Sequence, residues 1–159
     1  MSHKSVREFI RDRVIAIRDD LKFGYGRSTD FNQIKDKKYP WVWLDPLQST
    51  INLIEDGGFT ETYSLNLIFY RYDKPDSKED EYKLILDQTD DIVQAFIRYL
   101  HNDMVDDTSS SVVFTTHNTA ISNVNKTPVI KVTADCLTGW VLTFDLTVPD
   151  KFDYCSIYD

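Results

Sequence analysis

Histidine, cysteine, glycine and proline are all scarce in this chain: its 159 residues hold three His, two Cys, five Gly and five Pro. Each scarcity removes a class of protein. Two cysteines, Cys136 and Cys155, cannot build a disulfide framework. Cys136 reads as a small buried residue of a strand-like stretch, and Cys155 has no metal-ligand partner near it. The histidines, His3, His101 and His117, fall at a terminus, a helix end and a strand end. No two of them can be placed within the hydrogen-bond reach that acid–base catalysis requires. Gly24 and Gly26 lack the third glycine and the preceding strand of a dinucleotide site. Ser109, Ser110 and Ser111 lack the G-x-S-x-G context of a nucleophile elbow. There is no phosphate-binding loop, zinc spacing or calcium loop. These gaps leave no catalytic, cofactor-binding or metal-binding residue to name, and the expectation is a protein that is not an enzyme. No apolar run approaches membrane-spanning length. The N-terminus has no apolar signal core. The chain is therefore expected to fold in a cytoplasm and to have no membrane partner.

What the chain does contain is amphipathic pattern. In Gly139–Pro149, Trp140, Leu142, Phe144, Leu146 and Val148 alternate with Val141, Thr143, Asp145 and Thr147, the period of a strand with one apolar and one mostly polar face. Ser5 and Glu8 have capping-box spacing. Behind them Val6, Ile10, Val14, Ile17 and Leu21 form a helical stripe, with an end expected near Gly24. Residues 24–38 read as a loop. Tyr39–Pro46 reads as a short strand bounded by prolines, with Trp41 and Trp43 on one face and Val42 and Leu44 on the other. That strand is either buried on both sides or has one face in an interface. Gln48–Ile54 and Phe59–Asp73 read as a hairpin around Gly57 and Gly58, its second strand long. Polar residues lie on one face of that strand near the turn and aromatic residues further on, as if a helix or a neighbouring subunit covered the far end.

A second helix is expected to enter through Lys74–Glu81, capped by Asp76 or Ser77, and to run to about Asn102, with Ile85, Thr89, Ile92, Val93, Phe96, Ile97 and Leu100 on its buried stripe. The acids at its entry suit the helix dipole, so a metal site is not needed to explain them. After it come an acidic loop (Asp103, Asp106, Asp107), a strand at Ser111–His117, a polar loop at Asn118–Lys126 and a strand at Thr127–Cys136. Leu137-Thr138-Gly139 reads as a turn or bulge into the final strand. The pattern implies one α+β domain over residues 1–159: a single mostly antiparallel sheet with a protruding β-hairpin, packed against two amphipathic helices. Residues 150–159 form an aromatic, acidic tail that packs on its own domain or docks on a neighbour.

The net charge of −8 is uneven. Residues 1–40 carry ten Lys/Arg against six Asp/Glu, and residues 41–159 carry eight against twenty. That balance disfavours tight nucleic-acid binding by the body of the domain. The acidic surface either keeps the protein soluble or serves to repel a polyanion or meet a basic neighbour.

The element order, the length, the acidic body and the closing segment Thr133-Ala-Asp-Cys-Leu-Thr-Gly-Trp-Val-Leu-Thr-Phe144 resemble the neck and tail-completion proteins of tailed bacteriophages, the tail-terminator-like group. The chain looks most similar to the type found in Bacteroidetes phages, including crAss-like phages. The resemblance covers most of the chain but rests on strand texture and not on a diagnostic motif. It carries no functional residue over. It implies a virion structural subunit, made in the bacterial host cytoplasm, that self-associates as a hexamer or dodecamer. Such a ring sits at the head–tail neck or at the end of the tail and contacts other virion proteins. DNA passes through it as cargo and is not tightly bound. Ring closure needs two different adhesive faces. The candidates are Trp41 and Trp43, the hairpin around Gly57 and Gly58, and the tail residues Phe152, Tyr154 and Tyr158. Two other readings stay open: a monomeric acidic binding or regulatory module, and a small enzyme with a pocket of perturbed titratable groups.

Overall fold

In a computed structural model, residues 3–32, 40–55, 57–105, 120–131 and 136–149 are described. The fold is α+β, built on one mixed, mostly antiparallel six-stranded sheet. The elements in order are α1 (His3–Ile15), β1 (Lys22–Tyr25), α2 (Ser28–Asn32), β2 (Trp41–Leu44), β3 (Gln48–Leu53), β4 (Phe59–Tyr72), α3 (Glu79–Val105), β5 (Ala120–Val129) and β6 (Leu137–Pro149). The sheet order is β1-β2-β4-β6-β5, with β3 also on β4. Among the described strands only β1 and β2 run parallel.

The two longest strands form the centre. β4 and β6 pair from Thr60↔Pro149 to Tyr72↔Leu137 without a break. Their alternation sorts the side chains: Tyr63, Leu65, Leu67 and Phe69 join Leu142, Phe144, Leu146 and Val148 on one buried face. Against that face lie Val6, Phe9, Ile10 and Val14 of α1 and Ile92, Val93, Phe96 and Leu100 of α3. Phe96 is the keystone, its ring 5.8 Å from Phe69 and 6.3 Å from Phe144. Burial of such rings is worth about 1.5–3 kcal/mol each.

Along the outer edge of β4, β2 and β3 run on as one interrupted strand. Leu44 pairs with Leu67 and Gln48 with Ser64. Asp45, Pro46 and Leu47 therefore face only Leu65 and Asn66, which makes a bulge with one extra residue. Pro46, which has no N–H to give the ladder, sits in that bulge.

Several expectations are corrected. The first helix stops at Ile15, not near Gly24, and Ser5 lies inside it. The chain turns through Arg18 and Asp20, whose side chains form a two-point ion pair. Leu21 still reaches the core, but from outside the helix. A turn and a continued helix bury the same leucine, so periodicity could not separate them. Gly24 lies in β1, where a Cβ would come within 2.2 Å of the Trp43 ring; the glycine is there to let the indole lie flat. Part of the expected loop is the short helix α2. At α3 the cap is neither Asp76 nor Ser77. Glu81 reaches back to the N–H of Lys78, 2.9 Å away, as half of a capping box. Asp30 does the same for Arg27 at α2.

The expected polar loop at Asn118–Lys126 is, from Ala120 on, strand β5, with a bulge between Ser122 and Asn125. Among the described residues it is an edge strand, and its mostly exposed polar residues hide the alternation. Leu137-Thr138-Gly139 is not a turn but the start of β6, paired with Tyr72, Arg71 and Tyr70. Cys136 is half-buried just ahead of the strand, at φ 53°. The expected strand at 111–117 lies outside the described residues.

A buried polar knot holds this end of the sheet. Thr138 Oγ1 donates to the buried Asp73 carboxylate (3.1 Å) and accepts from the Lys131 N–H (3.2 Å). The Asp73 N–H donates to the Cys136 carbonyl. Lys131 Nζ donates to the carbonyls of Pro75 and Ser77, fixing the approach to α3.

Candidate functional site

The sheet's second face divides into two halves of different chemistry. Near β1 it is apolar. Phe31 of α2 packs edge-on against Trp41 and Trp43 and stacks on Tyr70, with ring centroids 5.1–6.0 Å apart. With Ile68 and Leu137 these residues form a second small core. The cover expected over the aromatic end of β4 is thus α2 of the same chain. Trp43 is 4% exposed, and its indole N–H donates to the Gly26 carbonyl. Its surface is used within the subunit, whereas Trp41 stays half-buried.

The other half of that face is a polar groove of about 690 Å³ whose lining includes Asp45, Gln48, Ser64, Asn66, Asn123, Asn125, Thr143 and Asp145. Among the described residues no lysine or arginine lines it. Ser64 Oγ and Asn123 Nδ2 donate to the two oxygens of Asp145, at 2.9 and 2.7 Å. These bonds, Asn123's first, hold the Asp145 carboxyl below its ordinary range. Asn66 Nδ2 donates to Asp45 Oδ2 at 2.6 Å, yet burial pushes Asp45 up more than that bond pulls it down. Burial, then the Asp45 charge, pushes the Tyr70 hydroxyl up to about 12. Asn66 Oδ1 finds no partner among the described residues. Two carboxylates pushed in opposite directions are the raw material of an acid–base pair. Here, however, amide and hydroxyl donors already hold both oxygens of Asp145 and one of Asp45. The groove is better suited to hydrogen-bonding a polar surface than to moving protons. Among the described residues no group of three or more His, Cys, Asp or Glu could hold a metal.

Two further surfaces stand out. All six residues of β3 are exposed, and the hairpin end carries Ile51, Leu53 and Ile54 at 56%, 84% and 49% exposure. Ser49, Ile51 and Leu53 point to the side where the helices lie. His3, at the start of α1, meets this strand through the Ser49 hydroxyl at 3.3 Å. The apolar residues beyond Ser49 therefore continue the core face past the end of the core. On the opposite edge, α3 and β5 leave an apolar groove of about 230 Å³, walled by Ile97, Leu100, Ile121, Val124, Leu142 and Phe144 with His101 at its rim.

Of the sequence candidates, Gly57 and Gly58 are exposed at the hairpin turn, where the Gly57 N–H donates to the Ile54 carbonyl. Phe152, Tyr154 and Tyr158 lie outside the described residues, as do Asp56, Asp106 and Asp107. Sequence reading missed the polar groove, because Asp45 and Asp145 are a hundred residues apart and meet only through strand pairing. Nor does the sequence show the apolar groove between α3 and β5, because the polar residues 120–126 of its strand wall have the pattern of a loop.

No protein-family model matches this chain, and no curated protein matches it. No helix among the described residues is long and apolar enough to cross a membrane.

Proposed function

We propose that this protein is a non-enzymatic structural subunit of a phage virion, one copy of a ring at the head–tail neck or the end of the tail. The observation that carries the reading is the hairpin end. Ile51 and Leu53 extend the core face of the sheet beyond the helices that cover it, with Ile54 exposed just past the strand end. A clustered apolar surface of this kind marks a contact with another protein. Among the described residues β3 and β5 are edge strands, and these edges supply the two unlike faces that a ring subunit needs. The polar face fits passing DNA in its electrostatics: Asp45 and Asp145 without a lysine or arginine in the groove repel phosphate and do not hold it. The likeness to tail-terminator-like proteins in element order supports the same reading.

Cryo-electron microscopy of the virion tests it. The expected result is density for this α+β fold repeated around the channel at the neck or tail end. Absence from every ring sinks the proposal. The monomeric-module reading predicts instead that the protein stays a single copy at high concentration and is missing from the particle.

A further inference from the structure

The hairpin end and the α3–β5 groove lie on opposite edges of the sheet, separated by β4 and β6. Each is apolar and open: Leu53 is the most exposed large hydrophobic residue on the hairpin, and Val124 stands half exposed on the groove's rim. We infer that they are the two halves of one contact, in which the hairpin end of one copy seats Ile51 and Leu53 in the α3–β5 groove of the next.

Charge distribution identifies the occupant as a second copy. Residues 48–62 of the hairpin hold Glu55, Asp56 and Glu61 and no lysine or arginine. The two segments that wall the groove, Ile92–Asn102 and Ala120–Val129, hold Arg98, His101 and Lys126 and no acid. In a chain of net charge −8, an acid-free stretch of helix facing an acid-free strand is a local exception. Lys126 is already paired with Asp90, which leaves Arg98 and His101, both exposed, as the charge that another copy's acidic hairpin meets, so the hairpin encounters little repulsion there. The groove's volume of about 230 Å³ and its apolar lining have room for aliphatic side chains, and the hairpin end offers isoleucine and leucine. Because the contact joins unlike edges, each copy has one hairpin to give and one groove to fill, so contacts propagate in one direction and close as a ring or run on as a filament. The inference rests on the ring reading and gives it a specific interface.

Two measurements on the full chain separate the failure of the contact from the failure of the ring reading. Cys136→Ser and Cys155→Ser first remove the native thiols. A tagged copy carrying Leu53→Cys is then mixed under mild oxidation with an untagged copy carrying Val124→Cys, or Leu84→Cys as an exposed control on α3. Preferential disulfide formation between positions 53 and 124 of different copies is expected. Sedimentation should show Leu53→Asp weakening self-association about tenfold or more. Glu55→Lys should weaken it too, and Arg98→Glu in the same chain should restore it. Leu53, Glu55, Leu84, Arg98 and Val124 are exposed, so these substitutions should leave the circular dichroism of the Cys136→Ser, Cys155→Ser background unchanged. If the copies assemble but position 53 links no better to 124 than to 84, the contact is wrong and the ring reading stands. If the isolated protein does not self-associate and gives no 53–124 link, the contact is overturned, and the ring reading is judged by the virion alone.

Discussion

The indole Nε1 of Trp140 donates to the main-chain carbonyl of Leu86 at 2.9 Å, tying β6 to α3. Lys126 Nζ lies 4.4 Å from the centroid of the same ring and pairs with Asp90 of α3. One tryptophan thus joins the long helix to both strands beside it. Trp140→Phe keeps most of the apolar contact but loses the donor and weakens the cation–π contact, at a cost of about 1–2 kcal/mol. In a Lys126→Met background the cost should shrink toward the hydrogen-bond part alone. Urea denaturation of the four proteins measures both values, and additive costs would rule out the coupling.

Gly139 should be the least replaceable glycine. A Cβ there would stand 1.7 Å from the Phe69 carbonyl oxygen, a backbone atom that cannot move without opening the β4–β6 ladder. Gly139→Ala is expected to cost more than about 3 kcal/mol, in the range of the severe single substitutions. At Gly57 the Cβ would meet nothing within 4 Å, but φ is +89°. Gly57→Ala should therefore cost only about 1 kcal/mol of backbone strain. Thermal unfolding of the pair decides between crowding and conformation as the origin of each loss.

Phe31 holds the second core. It is buried against Trp41, Trp43 and Tyr70, and α2 has no other large side chain in that cluster. Phe31→Ala should cost about 3–5 kcal/mol and red-shift tryptophan emission as Trp41 and Trp43 meet water. An unchanged spectrum would mean that α2 does not cover these rings in solution.

The two groove carboxylates should respond to pH in opposite senses. Asp145 is held below its ordinary 3.8 by Asn123 and Ser64. Its contribution is fully present above the unfolded-state value and is lost as pH falls through the lowered folded value. Asp45 is raised by burial, so the folded state binds its proton more tightly than the unfolded chain does. Stability therefore falls as pH rises from 3.8 through the raised folded value, and the ionised form remains a cost above it. Asp45→Asn keeps an acceptor for Asn66 and should raise stability at neutral pH by a few tenths of a kcal/mol after solvent screening. Asp145→Asn should lower it. Urea midpoints at neutral and acidic pH test both signs, and a loss from Asp45→Asn at neutral pH would reverse the assignment.

The sequence by itself determined the elements whose apolar residues recur at one period over a long run. β4, β6 and α3 are of this kind, since burying such a pattern leaves little choice of structure. The hairpin was legible for the same reason, helped by its turn glycines. Tertiary structure decided what short or polar segments do. Leu21 is equally well buried by a helix or by a turn into β1, and only the parallel pairing of β1 with β2 selects the second. Residues 120–126 carry no strand pattern of their own and become β5 because β6 has an edge to fill. The alternation of Trp41 and Trp43 favours a core but leaves an interface open, and only the packing of Phe31 from α2 decides it. The polar groove is decided last of all. Asp45 and Asp145 become neighbours only because β4 runs between their strands, a proximity that no local property of either residue encodes.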